Sequence, residues 1–421
     1  HPEYYALMGG ARCTTQLCLS NPEVLRITIE SLREMIREKP GAKYWSVSQM
    51  DTYGNCECDQ CRATDRHEDS PAGSMIRFVN QVAAAFPGRV ISTLAYQYTR
   101  KPPRHIRPAA NVNVMLCTIE CDRSKPIDAD TSEGSFVSHL RGWSEIAPDI
   151  LVWDYVIQFT NMIAPFPNLA VLGPNLKLFR KYGVRAVFEQ GCRGTYSENQ
   201  ELRRYLLARL LWNPDLDVDS LVAGFAADYY GNASPYILQY HRAMAEALRY
   251  SGKNMTIYGS PMQETDAFLD QASLSMYENL FTLARAAVAG DPEQAARVEM
   301  ARLPLQYARI EVSKRYITGP GGFLEPAADG DGYRVIPGME TAVGDFVQMA
   351  VKYGVKTVHE RSKPPEVYGQ ETLDFFRRAW SGHLARGKPY TLAHGPAGQY
   401  GAEGPGSLTD GKRGSVNYFV L

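Results

Sequence analysis

Five short runs rich in β-branched and aromatic residues recur within the first 195 residues, at 43–50, 89–96, 111–119, 150–153 and 184–188. Four of them end at a carboxylate, namely Asp51, Glu120, Asp154 and Glu189. Segments of helical periodicity lie between most of these runs and ahead of the first. Ser20-Asn21-Pro22-Glu23 offers a cap with proline in the first turn, and Leu25, Ile29, Leu32 and Ile36 follow at helical spacing up to Pro40-Gly41. Further helices are expected at 73–86, 135–146 and 172–182. Strands that alternate with helices pair in parallel, and polar residues gathered at their C-terminal ends are the pattern of a barrel whose working loops share one face. The rival, a doubly wound open sheet, announces itself by a glycine-rich first turn that this sequence lacks. The expected fold class is therefore α/β, a (β/α)8-type barrel with strands four to eight in residues 1–196 and its first three strands upstream or absent.

From about Ser197 the pattern changes to long amphipathic helices at 201–212, 218–230, 235–250, 265–289, 292–316, 341–353 and 372–380. Residues 197–386 are read as a helical region. Residues 387–421, with Ser407 to Gly414 ahead of an aromatic run, read as the start of a truncated β-sandwich. No basic segment followed by an apolar one opens the chain at His1, and residues 418–421 resemble a strand cut in mid-course. Both ends suggest a piece of a longer polypeptide.

Charge narrows the partners. Forty-five Lys and Arg stand against 46 Asp and Glu, a formal net charge of -1, which gives no footprint for nucleic acid or anionic lipid. No apolar run approaches the roughly 20 residues of a membrane helix, so no membrane span is expected. Nucleotide loops, zinc-protease helices and serine-hydrolase elbows are also missing. What remains is the set of strand-end acids. Cleaving a glycosidic bond needs one carboxylic acid to protonate the leaving oxygen and a second group on the other side of the ring. Asp51, Glu120 and Glu189 are the candidate catalytic residues, each also explicable singly as a cap or an arginine partner. Aromatics stack on the C–H faces of sugars, so Tyr96, Trp153 and Tyr155, with Asp154 and Gln190, are candidate glycan-binding residues. No cofactor is required for that chemistry.

The cysteines form the sharpest local motif. Cys56-Glu57-Cys58-Asp59-Gln60-Cys61 places three thiols within six residues, and Cys18 precedes the first helix. Four thiols in reach of one another suit a structural zinc, whereas an exported chain favours disulfides. Zinc, disulfides and free thiols remain open on the spacing. None of these makes the cysteines catalytic.

Several stretches together resemble a large bacterial family long labelled a domain of unknown function. They are residues 1–7, 16–23, the run ending Val47-Ser48-Gln49-Met50-Asp51 with its cysteine motif, Pro165-Phe166-Pro167-Asn168, Phe188-Glu189-Gln190-Gly191 and Leu211-Trp212-Asn213-Pro214. The resemblance covers roughly residues 1–300. Its members are typical of polysaccharide-utilisation gene clusters and are similar to α-glucuronidases, retaining β-N-acetylhexosaminidases and endo-β-N-acetylglucosaminidases. It implies a barrel glycoside hydrolase, a discoidin-like C-terminal module, a complex glycan as partner, and secretion, a periplasmic location or attachment to the outer membrane. Numbering the runs as strands four to eight implies Asp51 as the general acid, with Glu120 or Glu189 as its partner. Hexosaminidases assisted by the substrate acetamido group show adjacent Asp-Glu at strand four. Here Thr52 follows Asp51, so the resemblance does not extend to that mechanism. The sequence specifies no oligomeric state.

Overall fold

The computed structural model describes residues 1–192, 194–328 and 332–379. The expected sandwich at 387–421 lies outside the described residues. The chain divides into two compact units, the first made of residues 1–156, 170–191 and 209–216, the second of residues 157–169, 192–208 and those from 217 onward.

Unit 1 opens with an antiparallel hairpin of β1 (Tyr5–Met8) and β2 (Ala11–Leu17), joined by Gly9 and Gly10. Helix α1 (Pro22–Glu38) follows, then β3 (Tyr44–Ser46), α2 (Asp59–Glu68), α3 (Ala72–Ala84), β4 (Val90–Ala95) and β5 (Val112–Cys117). The last elements of the unit are α4 (Phe136–Ile146), β6 (Ile150–Tyr155), α5 (Leu169–Lys181) and β7 (Ala186–Gln190). The N-terminal hairpin and α2 were not expected. β3 is shorter than the anticipated run at 43–50, although the amide of Val47 still donates to the carbonyl of Ser92 at 2.8 Å.

The five strands β3 to β7 form one sheet, each hydrogen-bonded in parallel to the next in chain order. That order never reverses. A doubly wound sheet must change direction at a switch point, so the doubly wound rival is excluded. The arrangement is a five-stranded half-barrel, and the described residues do not complete an eight-stranded barrel.

The register assigns every strand residue to a face, because side chains alternate with period two. Trp45, Ile91, Val112, Val152, Asp154, Val187 and Glu189 share one face, and Leu94, Met115, Cys117, Trp153, Tyr155, Phe188 and Gln190 share the other. The first face meets helices. Ile91 and Val112 pack with Val24 and Leu32 of α1 and with Phe78, Val79 and Val82 of α3. Each such side chain contributes about 1.5–3 kcal/mol by leaving water.

Helix α1 begins where it does because Asn21 stands in extended backbone and its side-chain oxygen accepts the amides of Glu23 and Val24 at 2.9 and 3.3 Å. Asn21→Ala removes that cap and is expected to lower stability by about 1 kcal/mol in a urea titration. No change in midpoint would show that α1 is held by packing alone.

Unit 2 is mainly helical. It takes in the first part of α6 (Gln200–Trp212), then α7 (Val218–Tyr230), α8 (Ser234–Ser251), α9 (Gln271–Ala287) and α10 (Pro292–Tyr316). Two short strands, β8 (Leu324–Pro326) and β9 (Tyr333–Val335), pair antiparallel ahead of α11 (Met339–Lys352) and α12 (Pro365–Ala379). The expected helix at 265–289 starts later, because Asp270 caps α9 through the amides of Ala272 and Ser273. The core gathers Leu303, Tyr307 and Ile310 of α10 around Phe346 of α11 and Phe376 of α12.

Candidate functional site

Asp51 lies in the loop after β3, its side chain open to solvent. The hydroxyl of Tyr96, just past β4, donates to Asp51 Oδ1 at 2.8 Å. Tyr96 is itself fixed, since its carbonyl accepts the Gln49 amide at 3.0 Å and the Thr99 hydroxyl closes on the other end of Gln49. From β2, Gln16 holds the same loop like a strand neighbour. Its Nε2 donates to the carbonyl of Met50 at 2.9 Å and its Oε1 accepts the Met50 amide at 3.0 Å. The loop turns at Gly54, whose φ of +92 suits glycine, and where a Cβ would come within 2.8 Å of the Met8 sulfur.

Glu120 follows β5 and pairs with Arg100, Nη1 to Oε2, at 3.0 Å. Arg100 is aimed by two further bonds, to the carbonyl of Gly134 at 3.0 Å and to Nδ1 of His139 at 3.1 Å. Burial, reinforced by the charge of Arg100, pulls His139 down to about 4, so its ring is neutral and Nδ1 is free to accept. Cys117, the last residue of β5, feels the charge of both acids. Burial pushes its thiol up first, the charge of Glu120 second, and the charge of Asp51 adds to both, while a hydrogen bond from Tyr155 acts in the opposite sense. Both carboxylates are thus within electrostatic reach of one thiol.

That thiol shares a sheet face with the expected sugar-binding aromatics. Trp153 lies near-parallel to Tyr155, with centroids 6.1 Å apart and planes at 16°, and meets Phe188 edge-on at 5.0 Å. Gln190 accepts from the Trp153 indole N–H at 2.6 Å, fixing the ring. Phe188 is 49% exposed and Trp153 half-buried, whereas Tyr155 is buried and so lies beneath them. The register puts Trp153, Tyr155 and Gln190 on one sheet face, while Asp51, Tyr96 and Glu120 lie in the loops that follow the C-terminal ends of β3, β4 and β5.

Asp154 and Glu189 stand side by side on the opposite face. Asp154 is 2% exposed and pairs with Arg123, itself 1% exposed, at 3.0 Å. The same Asp154 oxygen accepts the Thr118 hydroxyl and the amide of Tyr155. Glu189 Oε2 is buried with no hydrogen-bond partner among the described residues. Burial, then the charge of Asp154, holds Glu189 well above the usual carboxylate range, and Arg123 offsets only part of this.

A carboxyl whose folded pKa is raised keeps its proton in the fold while the unfolded chain has already released it. The fold therefore loses stability as pH climbs from the ordinary carboxylate range until Glu189 itself ionises. Glu189→Gln is expected to raise the melting temperature at pH 7 and to leave it little changed near pH 4. Melting curves between those values would contradict this if the difference were the same throughout.

The structure also gathers Cys18, Cys56, Cys58 and Cys61, whose sulfurs all lie within 4.8 Å of one another. All four are free thiols, packed with Ala6, Leu7 and Met8. A hydrogen bond from Cys61 draws Cys18 down to about 3, against the opposing effect of burial. Cys117, Cys121 and Cys192 are buried free thiols elsewhere in the chain. Gln16, Arg100 and Arg123, which hold Met50, Glu120 and Asp154, were not singled out as site residues from the sequence, because each acts on a partner far along the chain.

Residues 1–242 match the family model described as a domain of unknown function (DUF4838). No curated protein matches the sequence. Among solved structures, a GH138 enzyme targeting pectin rhamnogalacturonan II is similar with a TM-score of 0.42 at 10% identity, over 85% of this chain and 64% of that one. The chain thus spans less than two thirds of that enzyme's length. With more than half of its residues matched, the chain belongs to the DUF4838 family.

Proposed function

We propose that this chain carries the carboxylate-bearing half of a glycoside hydrolase active face. The observation that carries the reading is that Asp51, held by the Tyr96 hydroxyl, and Glu120, paired with Arg100, lie in the loops that follow β3 and β5, at the strand ends where β6 and β7 present Trp153 and Phe188. Glu120, paired with a guanidinium, serves as the charged member that attacks or polarises at the anomeric carbon. Asp51, oriented by a phenol hydroxyl, exchanges the proton with the glycosidic oxygen. The aromatic face stacks the sugar rings, and Gln190 keeps the indole in place. The substrate class follows the resemblance set out above, a complex glycan cut in the manner of an endo-β-N-acetylglucosaminidase, with an α-glucuronidase-like activity as the alternative. Export to the cell surface or periplasm belongs to the same reading.

The test is a panel of N-glycan, uronide and hexosaminide substrates offered to the full-length protein, with released reducing ends as the readout. Turnover of any one supports the proposal. A second reading, a glycan-binding protein without catalysis, is favoured by the exposed aromatic edge. It predicts saturable glycan binding by calorimetry with no reducing ends released.

A further inference from the structure

The cysteine cluster does something the glycan reading does not require. Its four sulfurs come from two separate stretches: Cys18 follows β2, while Cys56 and Cys58 lie in the loop after β3 and Cys61 in the first turn of α2. A tetrahedral zinc with Zn–S bonds of about 2.3 Å sets its sulfurs about 3.8 Å apart. Cys18 and Cys58 sulfurs are 3.7 Å apart, and all six pairs fall within 4.8 Å. Four sulfurs gathered this closely are within reach of a single ion.

The surroundings match a closed site. Cys18, Cys56 and Cys61 are 3%, 5% and 1% exposed, so three of the four thiols are shut off from solvent, and Cys58 is half-buried. The amide of Leu7 points at the Cys56 sulfur at 3.4 Å, and the Ser20 hydroxyl lies 3.3 Å from the sulfurs of Cys18, Cys58 and Cys61. Such donors are the outer shell that orients and tempers thiolate ligands. The guanidinium of Arg12 is within electrostatic reach of Cys18, Cys56 and Cys58, which places a cation beside what becomes a doubly negative centre when four thiolates hold one divalent ion.

We infer that Cys18, Cys56, Cys58 and Cys61 bind one structural zinc ion, which fastens the β1–β2 hairpin to the loop that leads from β3 into α2. All four coordination positions are filled by protein, so the ion is not a catalytic one. Tetrahedral S4 sites take zinc or iron, and zinc is the ion that adds no redox chemistry to a site with none nearby. Binding exchanges four thiol protons for one Zn2+, with no change in oxidation state. The inference stands whether or not the protein cleaves glycans.

The experiment is metal analysis of the full-length protein purified without chelator, by plasma mass spectrometry. About one zinc per chain is expected. Cys58→Ser should lose most of it, and Cys192→Ser, in the other unit, should keep it. Because a cysteine variant can fail to fold, X-ray absorption at the zinc edge of the unaltered protein supplies an independent readout, expected to show about four sulfurs at about 2.3 Å. Nitrogen or oxygen ligands in that spectrum would overturn the assignment. So would stoichiometric iron, full zinc retention by Cys58→Ser, or a metal-free protein whose alkylated mass shows these cysteines joined as disulfides.

Discussion

Asp51→Asn is expected to lower glycan hydrolysis by about two to four orders of magnitude, the usual contribution of a positioned acid or base, while leaving folding and glycan binding intact. The substitution is close to isosteric. The asparagine carbonyl oxygen can still accept from Tyr96, and the loop around it is held independently by Gln16 through the backbone of Met50. What disappears is the exchangeable proton. Substrates with poor leaving groups should therefore suffer far more than activated aryl glycosides, whose departing oxygen needs little help. Equal losses on both classes, or none on either, would move the acid role from Asp51 to Glu120.

Arg123→Ala is expected to destabilise unit 1 by about 3–5 kcal/mol, the range for breaking a buried ion pair from one side. Arg123 donates to Asp154 and, through Nη2, to the carbonyl and hydroxyl of Thr118, all deep in the protein. Its loss leaves the buried Asp154 without its cation and beside Glu189. Chemical denaturation measures the effect. A companion Asp154→Asn change should restore much of the stability, because it removes the stranded charge. A loss under about 1 kcal/mol would mean that water reaches this site and screens the pair.

The parallel sheet was legible because its strands are fully or half buried and so read as short apolar runs, each closed by a polar residue. The helices of unit 2 were legible for a related reason. Pro292–Tyr316 and Val218–Tyr230 have aspartates as caps, Asp291 and Asp217, that mark their starts chemically. The N-terminal hairpin was missed because Tyr5–Met8 is short and much of Ala11–Leu17 is solvent-exposed, which leaves no alternation to detect. The site was only partly legible. Four acids at strand ends suggested a single cluster, and of these the register assigns a face only to Asp154 and Glu189, which point away from their sequence neighbours Trp153 and Phe188. A one-residue shift in where a strand stops decides the face, and strand ends are where sequence patterns are least sharp. Tyr96 was chosen as an aromatic for stacking, but its hydroxyl on Asp51 is a long-range contact that spacing does not encode. The cysteine motif proved more informative, since three of its thiols lie within six residues and only Cys18 had to be brought in by the fold.

Full-length protein and three variants, Asp51→Asn, Glu120→Gln and Glu189→Gln, assayed side by side on the best substrate of the glycan panel, test the central claim most directly. Asp51 and Glu120 as the working pair predict that the first two variants lose hydrolysis and still bind glycan, while Glu189→Gln, altered on the far face of the sheet, keeps turnover close to that of the unaltered protein. Turnover undiminished in both Asp51→Asn and Glu120→Gln, or abolished only in Glu189→Gln, would contradict it.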